Sequence, residues 1–128
     1  MASRPARRAE RAFGADARVR RRSEFEALYA RGTKLVESRL VAFVAPSAEG
    51  ARRSRLGLSV SRKVGDAPRR NRVKRVLREA FRQLSPEWSE PLDLVLVARP
   101  GSAPSSLAEA RESLQRLRER WLRRAARP

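Results

Sequence analysis

The sequence predicts an α+β domain, a single compact sandwich in which amphipathic helices pack on one β-sheet. Residues 56–61 alternate between apolar residues and small or polar ones, which is typical of a strand with one buried face. Residues 92–98 are almost continuously apolar, which indicates a central strand buried on both faces. Apolar residues at three- and four-residue spacing precede Ser85 and follow Ser106, and they predict two longer helices.

The chain has 128 residues, a length that fits one domain with a core of modest size. Residues 1–17 are rich in Ala and Arg and have no apolar period, so they predict a flexible basic extension. This segment lacks the apolar stretch of a secretory signal. Residues 18–126 are expected to form the domain, and no apolar run approaches the roughly 18 residues that a membrane span needs.

The first helix is expected to begin at an S-x-x-E capping box formed by Ser23 and Glu26, and to end at Gly32. One face of this helix carries its apolar residues, which are Phe25, Leu28 and Tyr29.

Two strands are expected after this helix. The first, residues 40–45, is closed by Pro46 and places Phe43 on the face opposite to Leu40, Ala42 and Val44. In the second strand the apolar face consists of Leu56, Leu58 and Val60. Its other face is small and polar, which leaves room for a ligand or a neighbouring backbone, and consists of Gly57, Ser59 and Ser61.

A long helix is expected from Asp66, a candidate N-cap, to the Ser85-Pro86 pair, with Pro68 in the first turn. Its apolar stripe contains Val73, Val76, Leu77, Ala80, Phe81 and Leu84. The opposite side is basic and contains Asn71, Arg72, Lys74, Arg75, Arg78 and Arg82. The last helix, capped by Ser105 or Ser106, carries Leu107, Ala110, Leu114, Leu117 and Trp121 on one stripe.

The charge of the chain indicates a polyanion as partner, because 31 Lys and Arg stand against 14 Asp and Glu for a net charge of +17. All the basic residues except Lys34, Lys63 and Lys74 are Arg, which suits bidentate contact with phosphates. Codon bias in a GC-rich genome is an alternative cause of the Arg preference, but it does not explain the excess of positive charge. An acidic membrane surface is the competing polyanion, but a protein that binds one is expected to have a long basic amphipathic helix without strands.

Several kinds of covalent, metal and catalytic site are excluded because the sequence contains no Cys and no His. These are disulfides, thiolate or His-ligated metal sites, a His general base and a Ser-His-Asp triad. A protein nuclease needs clustered carboxylates for two metals or a His base, whereas the acidic residues here are dispersed along the chain. The sequence therefore predicts no catalytic residue and no metal ligand.

The segment of residues 61–82 holds nine Lys and Arg against two acids. A solvated helix face is the ordinary interpretation of such a charge run. On this helix, however, like charges crowd at three- and four-residue spacing, which destabilises a helix by about 0.2–0.5 kcal/mol per pair. A bound polyanion would offset that repulsion, so the segment favours nucleic-acid binding.

The same segment resembles the bacterial ribonuclease P protein component, whose signature is an Arg-Asn-Arg motif. The matching residues are Gly-Leu-Ser-Val-Ser-Arg-Lys-Val-Gly-Asp-Ala at 57–67, then Arg70-Asn71-Arg72, Lys74, Arg75 and Arg78. The resemblance is ungapped here and extends over residues 18–124. Two features depart from it: Pro68 stands where a β-branched aliphatic residue is usual, and the N-terminal extension is longer than expected.

The resemblance implies a protein subunit of a ribonucleoprotein enzyme that removes the 5′ leader from precursor tRNA. In that family the RNA subunit is the catalyst and holds the Mg²⁺ ions, so the protein alone is expected to bind no metal. The implied partners are ribonuclease P RNA and precursor tRNA, in the cytoplasm, with no membrane and no obligatory protein partner. The implied fold is similar to the second domain of a small-subunit ribosomal protein and contains a left-handed βαβ crossover.

The resemblance also implies two groups of site residues. The RNA-binding group consists of Arg62, Lys63, Arg70, Asn71, Arg72, Lys74, Arg75 and Arg78. The leader-binding group consists of Phe25, Tyr29, Phe43, Ser59 and Ser61. Spacing alone would place the three aromatic residues in the core, whereas the resemblance implies that they line a cleft for the single-stranded leader, with Leu28 turned inward.

Two other functions involve a basic helix. A non-enzymatic RNA-binding protein of ribosomal type is the alternative, because a basic helix by itself does not distinguish such a protein from a ribonuclease P subunit. A helix-turn-helix DNA-binding protein is not expected, because the basic helix is flanked by strands and not by a short helix–helix turn.

Overall fold

The computed structural model describes residues 17–126, which form a four-stranded sheet with helices on both faces. The helices and strands, in chain order, are α1 (Arg22–Arg31), β1 (Thr33–Val36), β2 (Leu40–Pro46), β3 (Arg55–Ser59), α2 (Ala67–Leu84), β4 (Leu92–Ala98) and α3 (Leu107–Ala125). The predicted extension over residues 1–17 lies outside the described residues apart from Ala17, whose side chain is buried.

The order of strands in the sheet is β1-β2-β4-β3. β2 pairs with β1 and with β4 in antiparallel fashion, whereas β3 and β4 are parallel neighbours joined through α2. This arrangement confirms the expected βαβ connection, while its left hand stays a prediction. It also confirms β4 as the central strand, since Val95 and Leu96, on opposite faces, are both fully buried.

One face of the sheet forms the main core with α2 and α3. The predicted stripe of α2 is confirmed, because Val73, Leu77, Ala80 and Phe81 are buried there. Asp66 caps this helix as predicted, accepting a hydrogen bond of 3.1 Å from the backbone N–H of Arg69. The stripe of α3 is buried in the same core, and Ser106 is its N-cap.

The other face of the sheet is covered by α1 and by Val19 of the N-terminal segment, whereas Ala17 packs in the main core. Leu28 turns inward as expected and is buried with Val19 and Val95. The N-terminal segment runs along the outer edge of β3, where the N–H of Val19 donates to the carbonyl of Leu56 at 3.0 Å. Arg18 forms an isolated parallel bridge with Leu56, so the exposed edge of β3 is closed there.

The capping box predicted at Ser23 and Glu26 is wrong. The helix begins two residues earlier, with Arg21 as its N-cap, and the carboxylate of Glu24 accepts from the Arg21 backbone N–H at 3.3 Å. Glu24 is selected because it also forms an ion pair with Arg55, 2.6 Å away, whereas Glu26 only pairs with the exposed Arg22. Tertiary charge pairing therefore decides which acid caps the helix.

Two further details of the strands differ from the sequence prediction. β1 was not predicted, and β3 ends at Ser59 because Ser61 starts a 3₁₀ turn over Arg62–Val64. Among residues 17–126 the structure contains no helix that is long and apolar enough to cross a bilayer.

A buried carboxylate, Glu37, closes the turn between β1 and β2. It is 2% exposed, and its Oε1 accepts from the backbone N–H groups of Arg39 at 2.8 Å and Leu40 at 3.1 Å. Its Oε2 accepts from the Ser38 hydroxyl at 3.0 Å and lies 3.5 Å from Arg116. Although burial by itself raises the pKa of Glu37, the hydrogen bonds from Arg39, Ser38 and Leu40 bring it below the usual value.

We expect Glu37→Gln to lower the free energy of unfolding at neutral pH by about 1.5–3 kcal/mol, because the amide does not replace the charged acceptor facing Ser38 and Arg116. The folded-state pKa lies below the ordinary 4.5, so the contribution is present above that value. It is lost as the pH falls through the folded-state pKa. Urea denaturation across this range measures the difference, with the exposed Glu49→Gln as control. A deficit that is the same at all pH values would contradict the ionic role of Glu37.

Candidate nucleic-acid interface

The outward side of α2 carries the larger predicted group. Since the stripe of α2 is held in the core, the side chains of Arg70, Asn71, Arg72, Lys74, Arg75 and Arg78 lie on the opposite side, partly or fully exposed. Within residues 17–126 none of these six side chains forms a hydrogen bond or an ion pair. The packing of the apolar stripe therefore presents a row of unpaired donors to solvent.

The turn before α2 presents the remaining two basic residues of this group. Val64 is buried and anchors the turn, while Arg62 and Lys63 are exposed. Gly65 follows with φ of 155°, and a Cβ there would lie 2.7 Å from the Arg69 Cδ. The Arg69 guanidinium donates to the Val64 carbonyl at 3.2 Å, so Arg69 fixes the turn and Arg62 and Lys63 are left to face outward.

The three aromatic residues of the second group meet on the face of the sheet that α1 covers. The Tyr29 ring contacts Phe43 edge-on, with 4.9 Å between ring centroids, and lies 6.3 Å from Phe25. Tyr29 is 41% exposed, whereas Phe25 and Phe43 are half-buried. The Phe25 ring covers Gly57, where a Cβ would come within 2.7 Å of Phe25 Cζ. Glycine at this position therefore permits the close approach of Phe25 to β3.

The sheet beside these rings is only partly covered. Val41, Val97 and Ser59 are register neighbours on β2, β4 and β3, and all three are partly exposed. Val36, the partner of Val41 on β1, is 44% exposed. Ser59 thus lies on the same sheet face as Phe43, while Ser61 lies beyond the end of β3 and is exposed. The result is a cleft with aromatic, aliphatic and hydroxyl side chains.

Arg55 fixes α1 to this face of the sheet. It forms a bidentate pair with Asp93 of β4, with distances of 3.1 and 2.8 Å, and also pairs with Glu24 of α1. The hydrogen bonds to Asp93 and Glu24 raise the pKa of Arg55, while the pKa of Glu24 is lowered by Arg55 despite the opposing effect of burial. The helix α1, which forms one side of the cleft, is therefore held to the sheet by charge pairing with Arg55 as well as by the packing of Leu28.

A groove at the outer edge of β3 brings members of the two groups together. Its lining includes Phe25 from the aromatic group and Lys74, Arg75 and Arg78 from the basic group. The members of the basic group between residues 62 and 72 lie before α2 or near its N-terminus, and they do not line the groove. The predicted groups are thus distinct surfaces that meet at Phe25.

Two basic residues that the sequence analysis did not single out, Arg18 and Arg20, line the same groove. The signal was present in the alternation of Ala17 and Val19, both buried, with Arg18 and Arg20, both exposed. This period-two pattern covers only four residues next to an Arg-rich segment. It indicates a short edge strand once its pairing with β3 is known.

The acidic residues near these surfaces are already paired. Glu79 on α2 forms an ion pair with Arg82 and accepts from Gln83, which lowers its pKa to about 2. Among the described residues no three Asp or Glu side chains are grouped so that they would hold a metal ion.

Comparison with known proteins identifies the family. A family model described as Ribonuclease P matches residues 13–122. The ribonuclease P protein component of Desulfovibrio desulfuricans is 44% identical over 110 residues, which cover 86% of this chain and 83% of that protein. The corresponding protein of Shouchella clausii is 40% identical over 98 residues, which cover 77% of this chain and 80% of that protein.

Solved structures agree with these sequence matches. The RNase P protein from Thermotoga maritima aligns with a TM-score of 0.70 and 32% identity, covering 80% of this chain and 96% of that one. The Staphylococcus aureus RNase P protein aligns with a TM-score of 0.72 and 25% identity, covering 82% and 94%. The resemblance seen in the sequence is confirmed: this chain belongs to the ribonuclease P protein family and is a protein subunit of ribonuclease P, an enzyme of tRNA processing.

Proposed function

We propose that this chain is the non-catalytic, RNA-binding subunit of its holoenzyme. In this proposal the RNA subunit cleaves the precursor and holds the Mg²⁺. The outward side of α2 and the turn at Arg62 and Lys63 bind that RNA. The aromatic cleft binds the 5′ leader. The partners are ribonuclease P RNA and precursor tRNA, without an obligatory protein partner, and the place of action is the cytoplasm.

The row of unpaired donors on α2 is the observation that carries the proposal. Each pair of like charges spaced by one helical turn costs about 0.2–0.5 kcal/mol, and the acids that would relieve them are engaged elsewhere. Phosphates neutralise such a row and release the counterions of the RNA, which adds affinity without regard to sequence. Asn71, within the row, can also accept a hydrogen bond from a base or a 2′-hydroxyl group, which Arg cannot do.

The chemistry of the cleft supports its role as a leader site. Aromatic rings stack on unpaired bases of any sequence, and each stacked base contributes about 1–3 kcal/mol. Tyr29 and Phe43 offer ring surface at the open strip of the sheet, and Ser59 offers a hydroxyl group beside it. A surface with these properties suits a single strand whose sequence varies among precursors.

The carboxylates next to the cleft support a non-catalytic role for the protein. Glu24 and Asp93 share the guanidinium of Arg55, and Ser47 also donates to Asp93 at 2.8 Å. A divalent cation between these carboxylates would face the positive charge of Arg55, so these residues do not fit a Mg²⁺ site. The outward side of α2 and the aromatic cleft supply cations, rings and hydroxyl groups, which suit the binding and positioning of RNA.

Addition of the protein to ribonuclease P RNA at low Mg²⁺ is expected to restore cleavage of precursor tRNA, which is followed by the appearance of the free leader. RNA binding without restored cleavage would favour the alternative of a non-enzymatic, ribosomal-type RNA-binding protein. The protein alone, without the RNA subunit, is the control and is expected to leave the precursor intact.

We expect the double variant Arg70→Ala, Arg72→Ala to weaken binding of ribonuclease P RNA. Each phosphate contact that is lost should lower the slope of log K against log salt by about 0.7–0.9. The apolar stripe stays intact, so circular dichroism should stay native. The matched control, Arg123→Ala, Arg124→Ala, removes the same charge from the exposed last turn of α3. A salt slope equal to that of the control would contradict the assignment.

We expect Tyr29→Ala, and separately Phe43→Ala, to weaken holoenzyme binding of precursor tRNA by about 1–3 kcal/mol for each stacked base that is lost. Mature tRNA, which has no leader, should bind as before. Leu122→Ala is the control, because Leu122 is a large apolar residue that is 46% exposed on α3. Equal losses for precursor and mature tRNA would place the two rings in a structural role only.

A further inference from the structure

The groove at the outer edge of β3 has an apolar floor and a basic rim. Its volume is about 720 Å³, and its floor includes Val19, Phe25, Leu56, Gly57 and Leu58. The rim carries Arg18 and Arg20 on one side and Lys74, Arg75 and Arg78 on the α2 side. An apolar floor between two lines of cations is the arrangement by which proteins hold a single nucleic-acid strand.

Arg18 and Arg78 both line this groove although they belong to separate elements, the N-terminal segment and α2. Within residues 17–126 neither guanidinium forms a hydrogen bond or an ion pair. Partial burial and the charge of Arg18 hold the pKa of Arg78 below its usual value, so each cation lies within the field of the other. Glu79, the acid in the lining, is already bound by Arg82 and Gln83.

Two other cations that join elements of this fold have acidic partners. Arg55 has Asp93 and Glu24, and Arg39 has Glu109 and Glu112. At these two positions the fold supplies counter-charges to a guanidinium that joins elements. Arg18 and Arg78 line one groove without an acidic partner among the described residues, which suits a bound anion.

We propose that this groove binds the backbone of the 5′ leader of precursor tRNA and that one leader phosphate lies between the guanidinium groups of Arg18 and Arg78. Two planar Arg groups that face one phosphate can each donate two hydrogen bonds to its oxygens. The inference rests on the proposed function, and it extends the leader site from the sheet face to the N-terminal segment.

The leader, and not the RNA subunit, is the occupant for two reasons. Phe25 belongs to both the aromatic cleft and the groove, so a strand that lies on the sheet face continues into the groove past this ring. The volume of about 720 Å³ accommodates one or two nucleotides of a single strand.

The test measures the affinity of the reconstituted holoenzyme for precursor tRNAs whose leaders lengthen by one nucleotide at a time. With the wild-type protein, affinity should rise in steps as the leader grows. Arg18→Gln should lose one step, about tenfold in affinity, and lower the salt slope by about 0.7. Arg123→Gln, an equal loss of charge on the exposed end of α3, should keep every step.

A neutral methylphosphonate linkage in the leader identifies the phosphate. At the position that corresponds to the lost step, it should weaken binding by the wild-type protein and have no further effect on Arg18→Gln. Arg78→Gln should lose the same step, so the site is also tested from α2 if Arg18→Gln disturbs the pairing of residues 17–20 with β3.

Two results would overturn the proposal. One is that Arg18→Gln and Arg78→Gln both match Arg123→Gln for all leader lengths. The other is that Arg18→Gln, which lies outside the α2 row, weakens the binding of mature tRNA or of the RNA subunit as much as that of long-leader precursors, which would place another RNA in the groove. Either result leaves the proposed function standing, since that function fails only if the wild-type protein does not restore cleavage.

Discussion

The burial of β4 on both faces is the constraint on which the rest of the structure depends. A strand with Val95 and Leu96 both fully buried needs a covering layer on each side of the sheet. On one side α2 and α3 supply it completely. On the other side α1 and Val19 of the N-terminal segment cover only part of the sheet, and the uncovered part is the cleft beside Phe43. The candidate binding surface is thus the part of this sheet face that α1 and the N-terminal segment leave uncovered.

The charged residues are also divided, between contacts that join elements and the exposed side of α2. Acidic residues are located where guanidinium groups join elements, as Asp93 and Glu24 do for Arg55, and as Glu37 does for the turn after β1. The outward side of α2 receives almost none of them. Because the apolar stripe of α2 is fully engaged in the core, the helix can carry a row of repelling cations without losing its position. The apolar packing surface and the row of unpaired cations therefore lie on opposite sides of one helix.

Periodicity predicted those elements in which burial follows a regular repeat. β4, α2 and α3 could be predicted because long apolar patterns leave little ambiguity. β1 was missed because it has four residues and only Leu35 is buried. The cap of α1 was misplaced because the Ser23-x-x-Glu26 frame overlaps an Arg21-x-x-Glu24 frame, and the charge of Arg55 on β3 favours the second. The groove could not be predicted, since Arg18 and Arg78 are distant in sequence and converge only through the pairing of residues 17–19 with β3. The roles of the site residues come from the family resemblance and stay predictions.

The two edges of the sheet bear on self-association. A chain with a net charge of +17 is kept apart from its copies by repulsion, but bound RNA removes much of that repulsion. The edge of β3 is then closed by residues 17–19, and β1 offers a four-residue edge that contains Lys34. Short, charged or covered edges are poor templates for strand addition from a second chain. The two edges therefore disfavour strand addition in the RNA-bound state, where net charge no longer keeps copies of the chain apart.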